Sequence, residues 1–204
     1  MVPPPLRLIL VVLGGFLLGS LPFSVWVGRR AAGVDVRREG SRNPGAANVW
    51  KLAGRSFGVL VGAADAAKGA AAVWLAWWAE LPDGQAVWAG AAATLGHDFS
   101  PWLGFRGGKG GATTVGALAC FLFPELLVVL GLWILASFLD PRRKFVWSIA
   151  SLSMLAPIAA MTGRVPLPWL GGLPTRSPSV IAAAAFLILL LWSRIASGLA
   201  RPHA

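Results

Sequence analysis

Read by the alternation of apolar and polar positions, the chain is a series of long uncharged runs interrupted by short polar stretches. Leu8 to Gly28 carries no charge over 21 residues. At about 1.5 Å per residue that covers a hydrocarbon core of roughly 30 Å. The run is longer than a signal-peptide core and no A-x-A site follows it, so it is expected to be a membrane helix. Further apolar spans run over 56–79, 85–99, 112–139, 145–162 and 178–192. The span 112–139 is long for one crossing, and "FPE" at Phe123 to Glu125 sets a proline and an acid in its middle. Two short helices meeting at a turn are expected there. The pattern predicts an all-α, polytopic integral membrane bundle of about seven helices, some short or re-entrant, forming a single domain over 1–204 with no soluble domain, linker or long repeat. Gly15 and Gly19 show the small-xxx-small spacing of close helix packing.

Composition strengthens this reading. Of 204 residues, 56% are hydrophobic and only 13% charged, about half the charge share of a soluble domain. Lys and Arg total 18 against 8 Asp and Glu, giving a net charge of +10. In a membrane protein such an excess marks cytoplasmic loops, a better account here than nucleic-acid binding. Seven of the cations lie in 29–55, two in 103–111, three in "DPRRK" at 140–144, and two, Arg194 and Arg201, near the C-terminus. All fall on one side of a seven-helix bundle whose N-terminus is outside, leaving Arg7, Arg164 and Arg176 on the other face. The single cysteine, Cys120, has no disulfide partner, and together with the two histidines gives no metal-ligand spacing. No metal and no cofactor are expected.

The polar residues cluster in three stretches: "DVRREGSRNPGAANVWK" (35–51), "DAAKG" (65–69) and "GHDFSPWLGFRGGKGGAT" (96–113). The first and third reach the cytoplasmic face in this topology. Asp65 and Lys68 stand instead inside the second span, three residues apart on one helical face, where charges are costly and mark either a functional site or a self-contained ion pair. In "GFRGGKGG" the glycines allow successive backbone N–H groups to point into one concavity, which beside Arg106 and Lys109 suits a phosphate. It is not a Walker A loop, which would need glycine at Leu103 and Ser or Thr at Gly110. "GSRNPGAAN" offers a second set of the same chemistry, with the Ser41 hydroxyl, the Asn43 and Asn48 amides, Gly40 and Gly45, and Arg37, Arg38 and Arg42 close by. Two anion sites suit two phosphorylated groups. Interfacial turns whose cations meet lipid head groups fit the same residues.

Together with "GSLP" at 19–22, these stretches resemble the motifs of the bacterial membrane glycerol-3-phosphate acyltransferases that take acyl phosphate as donor. The family's loops read approximately D-x-R-x-x-G-S-G-N-x-G-A-T-N-x-x-R, then D-x-x-K-G, then G-H followed by F-K-G-G-K-G-x-A-T. The match holds in order and spacing over the first 113 residues. Departures are Arg42 for Gly, Ala47 for Thr, Lys51 for Arg and Arg106 for Lys. Further on, the family's Ser before the sixth helix falls on Val146 or Trp147, with Ser148 just beyond. In the C-terminal motif only Arg194 and Gly198 match, while the His, Asn and Glu positions hold Ile188, Leu191 and Ala200.

The resemblance implies a seven-helix enzyme of the bacterial inner membrane with its site facing the cytoplasm. It would make lysophosphatidic acid and phosphate from acyl phosphate and glycerol 3-phosphate, for phospholipid synthesis. Membrane lipid and the soluble enzyme that makes acyl phosphate are its implied partners. The candidate catalytic residues are Lys109, Ser41, Lys68 and His97. The candidate phosphate-binding residues are Arg37, Gly40, Asn43, Gly45, Asn48, Lys51, Asp65, Arg106, Gly107, Gly108, Gly110 and Thr113. An acyl phosphate is already activated, so the tasks are to place the hydroxyl, neutralise two phosphates and stabilise an oxyanion, with no Ser-His-Asp triad needed. A substrate phosphate oxygen or His97 can act as base, and a helix-end histidine bonded to a carbonyl is the other reading of His97. His203 lies in the tail and is given no role. The altered C-terminal motif leaves two alternatives: a member without catalysis that binds phosphorylated lipid or a partner, and an acyltransferase with a different acceptor.

Overall fold

The computed structural model describes residues 3–139, and every regular element among them is helical. In chain order these are α1 (Pro4–Ser20), α2 (Phe23–Ala32), α3 (Ala46–Ala53), α4 (Arg55–Trp78), α5 (Asp83–Asp98), a single 3₁₀ turn (Pro101–Leu103) and α6 (Gly111–Leu139). The chain divides into two compact units, Met1–Ala117 and Leu118–Ala204, with the boundary inside α6. The expected spans 145–162 and 178–192 lie outside the described residues, as do Ile188, Leu191, Arg194, Gly198 and Ala200.

In the first unit small residues face inward and large apolar ones outward, the reverse of a soluble bundle. On α1, Gly15 and Gly19 are buried, while Ile9, Leu13 and Leu17 are each about 55% exposed. A Cβ on Gly15 or Gly19 would run into the backbone carbonyl of Ala89 or Ala93 on α5, and one on Gly96 of α5 into that of Phe16 on α1. The two backbones therefore touch, as the small-xxx-small spacing predicts. The start of α6 meets α4 in the same way, through Gly69 against Thr113 and Gly116 against Ala66. Among the described residues, the stretches long and apolar enough to cross a membrane are Pro4–Ala32, Arg55–Trp78 and Gly111–Leu132. With large apolar residues turned outward, they identify an integral membrane protein. α5 has 16 residues, of which eleven are buried, and packs against α1, α4 and the start of α6.

The structure refines the sequence reading at three places. The first apolar run is not one unbroken helix: α1 ends at Ser20 and α2 starts at Phe23, because Pro22 lacks the N–H that would continue the ladder. The polar stretch 35–51, given no secondary structure from the sequence, ends in a helix, α3, that begins at Ala46. Within 112–139 two helices meet at a kink, as expected, with no longer loop between them. The break is confined to Leu122 (φ −129°, ψ 36°), two residues before Pro124, whose ring and missing N–H disrupt the preceding turn.

Candidate functional site

The first polar stretch is anchored by its apolar residues. Val36 and Val49 are fully buried and pack with Val25 of α2 and Val61 of α4, flanked by Leu52 and Leu103. This cluster fixes both ends of the loop, and polar groups shape its middle. The Asn48 side chain accepts the Ser41 N–H (2.9 Å) and donates to the carbonyls of Val36 (2.8 Å) and Glu39 (3.0 Å). Gly40 (φ +60°) packs so closely on the Asn48 amide oxygen that a Cβ there would collide with it. Asn48 therefore ties the loop into shape, and its amide is fully committed. Arg42 also takes a left-handed conformation (φ +57°), costly for any residue with a Cβ.

Asp35 organises the other end. Its carboxylate accepts the Arg37 backbone N–H (3.0 Å), the Arg37 guanidinium (2.6 and 2.9 Å) and Arg29 (3.0 Å). The hydrogen bond from the Arg37 side chain, opposed by partial burial, holds the Asp35 carboxyl well below the usual carboxylate range. The same contact raises Arg37 above its ordinary value. Asp35 was not singled out from the sequence, although an acid two residues before an arginine is the signal that would have found it.

The third stretch leaves α5 through a clamp on α1. The Ser100 hydroxyl donates to the Ser20 carbonyl (2.7 Å), and the Trp102 indole N–H donates to the Ser20 hydroxyl (2.8 Å). The chain then doubles back on the end of α5, with Gly107 N–H donating to the Asp98 carbonyl (2.9 Å) and Gly108 N–H to that of His97 (3.1 Å). Gly108 lies against both the His97 ring and the Pro44 carbonyl, and a Cβ there would overlap the imidazole Nε2. The two glycine-rich loops thus meet at Pro44 and Gly108. This brings together the backbones carrying Asn43, Gly45 and Lys109. Gly110 (φ +68°) immediately precedes α6 and lies beside the Asp98 carboxylate, which is favourably placed at a helix N-terminus. Thr113 follows in the first turn, buried, its hydroxyl without a hydrogen-bond partner among the described residues.

The side chains expected to meet substrate divide into two groups. Lys109 and Asn43 are half-buried, and Ser41, Lys51 and Arg106 are exposed; none has a side-chain hydrogen bond or ion pair among the described residues. Asp65 and Lys68 are 2% and 5% exposed and paired at 2.9 Å. Lys68 also donates to the Leu21 carbonyl (3.2 Å) at the break between α1 and α2, and bonds His97 Nδ1 (2.8 Å). Asp65, Lys68 and His97 line, with Ser24, Pro44 and Gly108, a cavity of about 10 Å³, the size of a single water. Among the described residues no group of His, Cys, Asp and Glu is placed to hold a metal ion.

Outward-facing apolar helices, with two loops of glycine and cations joined at Pro44 and Gly108, define an integral membrane protein. Residues 9–201 match the family of glycerol-3-phosphate acyltransferases, and the chain belongs to that family of acyltransferases. It is 42% identical over 171 residues to the glycerol-3-phosphate acyltransferase of Synechococcus sp. (strain JA-2-3B'a(2-13)), covering 81% of each chain. Against that of Gluconobacter oxydans (strain 621H) it is 34% identical over 197 residues, covering 96% of this chain and 89% of the relative. The structure is similar to the crystal structure of PlsY (YgiH), an integral membrane glycerol 3-phosphate acyltransferase, in its glycerol 3-phosphate form. The TM-score is 0.77 at 26% identity, over 94% of this chain and 90% of that one.

Proposed function

We propose that this protein transfers the acyl group of an acyl phosphate to a hydroxyl of glycerol 3-phosphate, forming lysophosphatidic acid and inorganic phosphate for phospholipid synthesis. The observation that carries this reading is the meeting of the two glycine-rich loops at Pro44 and Gly108. It draws uncommitted cations and amides from two distant parts of the chain to one place. Lys109 and Arg106, with the N–H groups of the glycine loop, neutralise one phosphate. Ser41, Asn43, Lys51 and the remaining donors of Arg37 serve the other. Gly40, Gly45, Gly107, Gly108 and Gly110 let the backbone come close to both, and the first turn of α6 at Thr113 adds a positive helix end.

In the reaction the glycerol hydroxyl oxygen bonds to the acyl carbon and the carbon–oxygen bond to phosphate breaks. The hydroxyl proton passes to a phosphate oxygen of the substrates. Fixed donors facing the developing oxyanion lower the barrier without a covalent intermediate. The site opens on the cytoplasmic side of the bacterial inner membrane, N-terminus outside and the whole chain one multi-pass domain, where the soluble enzyme that makes acyl phosphate delivers the donor. The cation distribution supports that orientation. The test is to incubate purified protein with acyl phosphate and glycerol 3-phosphate and follow lysophosphatidic acid and phosphate. Equal release of both, dependent on the acceptor, is expected. Acceptor-independent phosphate release, or no product, would overturn the assignment.

A further inference from the structure

Lys68 has three N–H donors and three acceptors around it: Asp65 Oδ1 on its own helix, the Leu21 carbonyl at the α1–α2 break, and His97 Nδ1 on α5. No proton is left for a substrate phosphate. His97 Nδ1 is turned toward this pair, 2.8 Å from Lys68 Nζ and 3.5 Å from Asp65 Oδ1, which leaves Nε2 on the other side of the ring. Nε2 faces Gly108, the residue through which the glycine loop touches the first loop at Pro44. The cavity these groups share holds about 10 Å³, far too little for glycerol 3-phosphate.

We propose that Asp65, Lys68 and His97 form a strut that sets the glycine loop against the first loop. Lys68 joins α4 to the α1–α2 break and fixes the His97 ring, and the ring is the surface on which Gly108 rests. All three are positioning residues, and phosphate neutralisation falls to Lys109 and Arg106. The kinetic arm of the test rests on the acyltransferase reading; the structural arm does not.

The full-length protein in lipid nanodiscs is compared with His97→Leu, His97→Asn and the double variant Asp65→Asn/Lys68→Met, which removes the buried pair together and leaves no lone charge. Amide hydrogen exchange is followed over 104–113, and KM and kcat for glycerol 3-phosphate are measured. His97→Leu and the double variant are expected to speed loop exchange and raise KM about tenfold or more. In His97→Asn the side-chain oxygen stands in for Nδ1 as the acceptor for Lys68, so exchange and KM return toward wild type and kcat falls less than tenfold. A general base would instead give equal kcat losses of about 10²- to 10⁴-fold in both His97 variants with exchange unchanged, and that result overturns the strut. So does a double variant that loses glycerol 3-phosphate binding while its loop exchanges as in wild type. Should the wild type form no lysophosphatidic acid, the functional reading fails by itself. The exchange arm still decides, since unchanged exchange in His97→Leu refutes the proposal.

Discussion

Asn48 provides a quantitative test of how the first loop is held. Its amide is 1% exposed and makes three hydrogen bonds, one to the Ser41 N–H and two to the carbonyls of Val36 and Glu39. Asn48→Ala removes all three and leaves those backbone groups without partners. At about 1 kcal/mol net for each bond, the loss is about 3 kcal/mol. For a chain of this length that corresponds to a fall in melting temperature of roughly 6–12 °C. Asn48→Asp is nearly isosteric and still accepts the Ser41 N–H, but turns a carboxylate oxygen toward two carbonyls that need donors. It should cost more than the alanine variant at neutral pH. Thermal unfolding of purified protein in detergent measures both. Asn43→Ala, next to the junction but without a side-chain hydrogen bond among the described residues, is the control: KM for glycerol 3-phosphate should rise severalfold with the melting temperature within about 2 °C of wild type. If Asn48→Ala melts like wild type, or the aspartate variant is no worse than the alanine one, the amide does not hold the loop.

Four further expectations can be checked with the same preparations. Arg42→Gly relieves a left-handed residue, and should stabilise the protein by about 1 kcal/mol; a lower melting temperature would mean the guanidinium has a binding partner that outweighs the strain. Lys109→Ala should cut kcat/KM at least a hundredfold without loss of folded yield, and Lys109→Arg should recover little of it, because a guanidinium fork does not fill the place of a compact ammonium; full activity in either variant refutes the phosphate role. The Asp35 carboxyl titrates lower in the folded protein than its unfolded value of about 3.9, so its contribution is complete above that pH and is lost as pH falls through the lower folded value. The melting-temperature gap between wild type and Asp35→Asn should hold level from about pH 5 to 8 and narrow only below about pH 4; a gap that widens in acid contradicts the pairing with Arg37. Single cysteines at Arg38 and Arg143 in a Cys120→Ala background should resist an impermeant thiol reagent outside intact cells, whereas one at Thr175 should react; the reverse pattern would invert the topology.

What the sequence determined by itself follows from quantities that add along the chain. Apolar runs of sufficient length must lie in lipid because no water there satisfies the backbone. That consequence of local composition made the all-helical membrane class legible, and it placed α4 and α5 within about two residues of their observed ends. The spacing of Gly15 and Gly19 foretold a close helix contact for the same reason, since residues four apart share a face. Glycines interleaved with Arg106, Lys109, Ser41 and Asn43 are, by residue type alone, the groups that suit an anion. The division of labour among the polar residues was not legible, because it depends on which groups meet across the fold. Asp65, Lys68 and His97 look like substrate ligands in a list of residue types. Only packing α4 against α5 and the α1–α2 break gathers Asp65, the Leu21 carbonyl and His97 Nδ1 around the Lys68 ammonium and sets the His97 ring against Gly108. Asn48 likewise comes to shape its own loop only once Val36 and Val49 are buried on either side and bring the Val36 and Glu39 carbonyls within its reach. A hydrogen-bonding group has a fixed number of partners, and long-range packing alone decides which it takes.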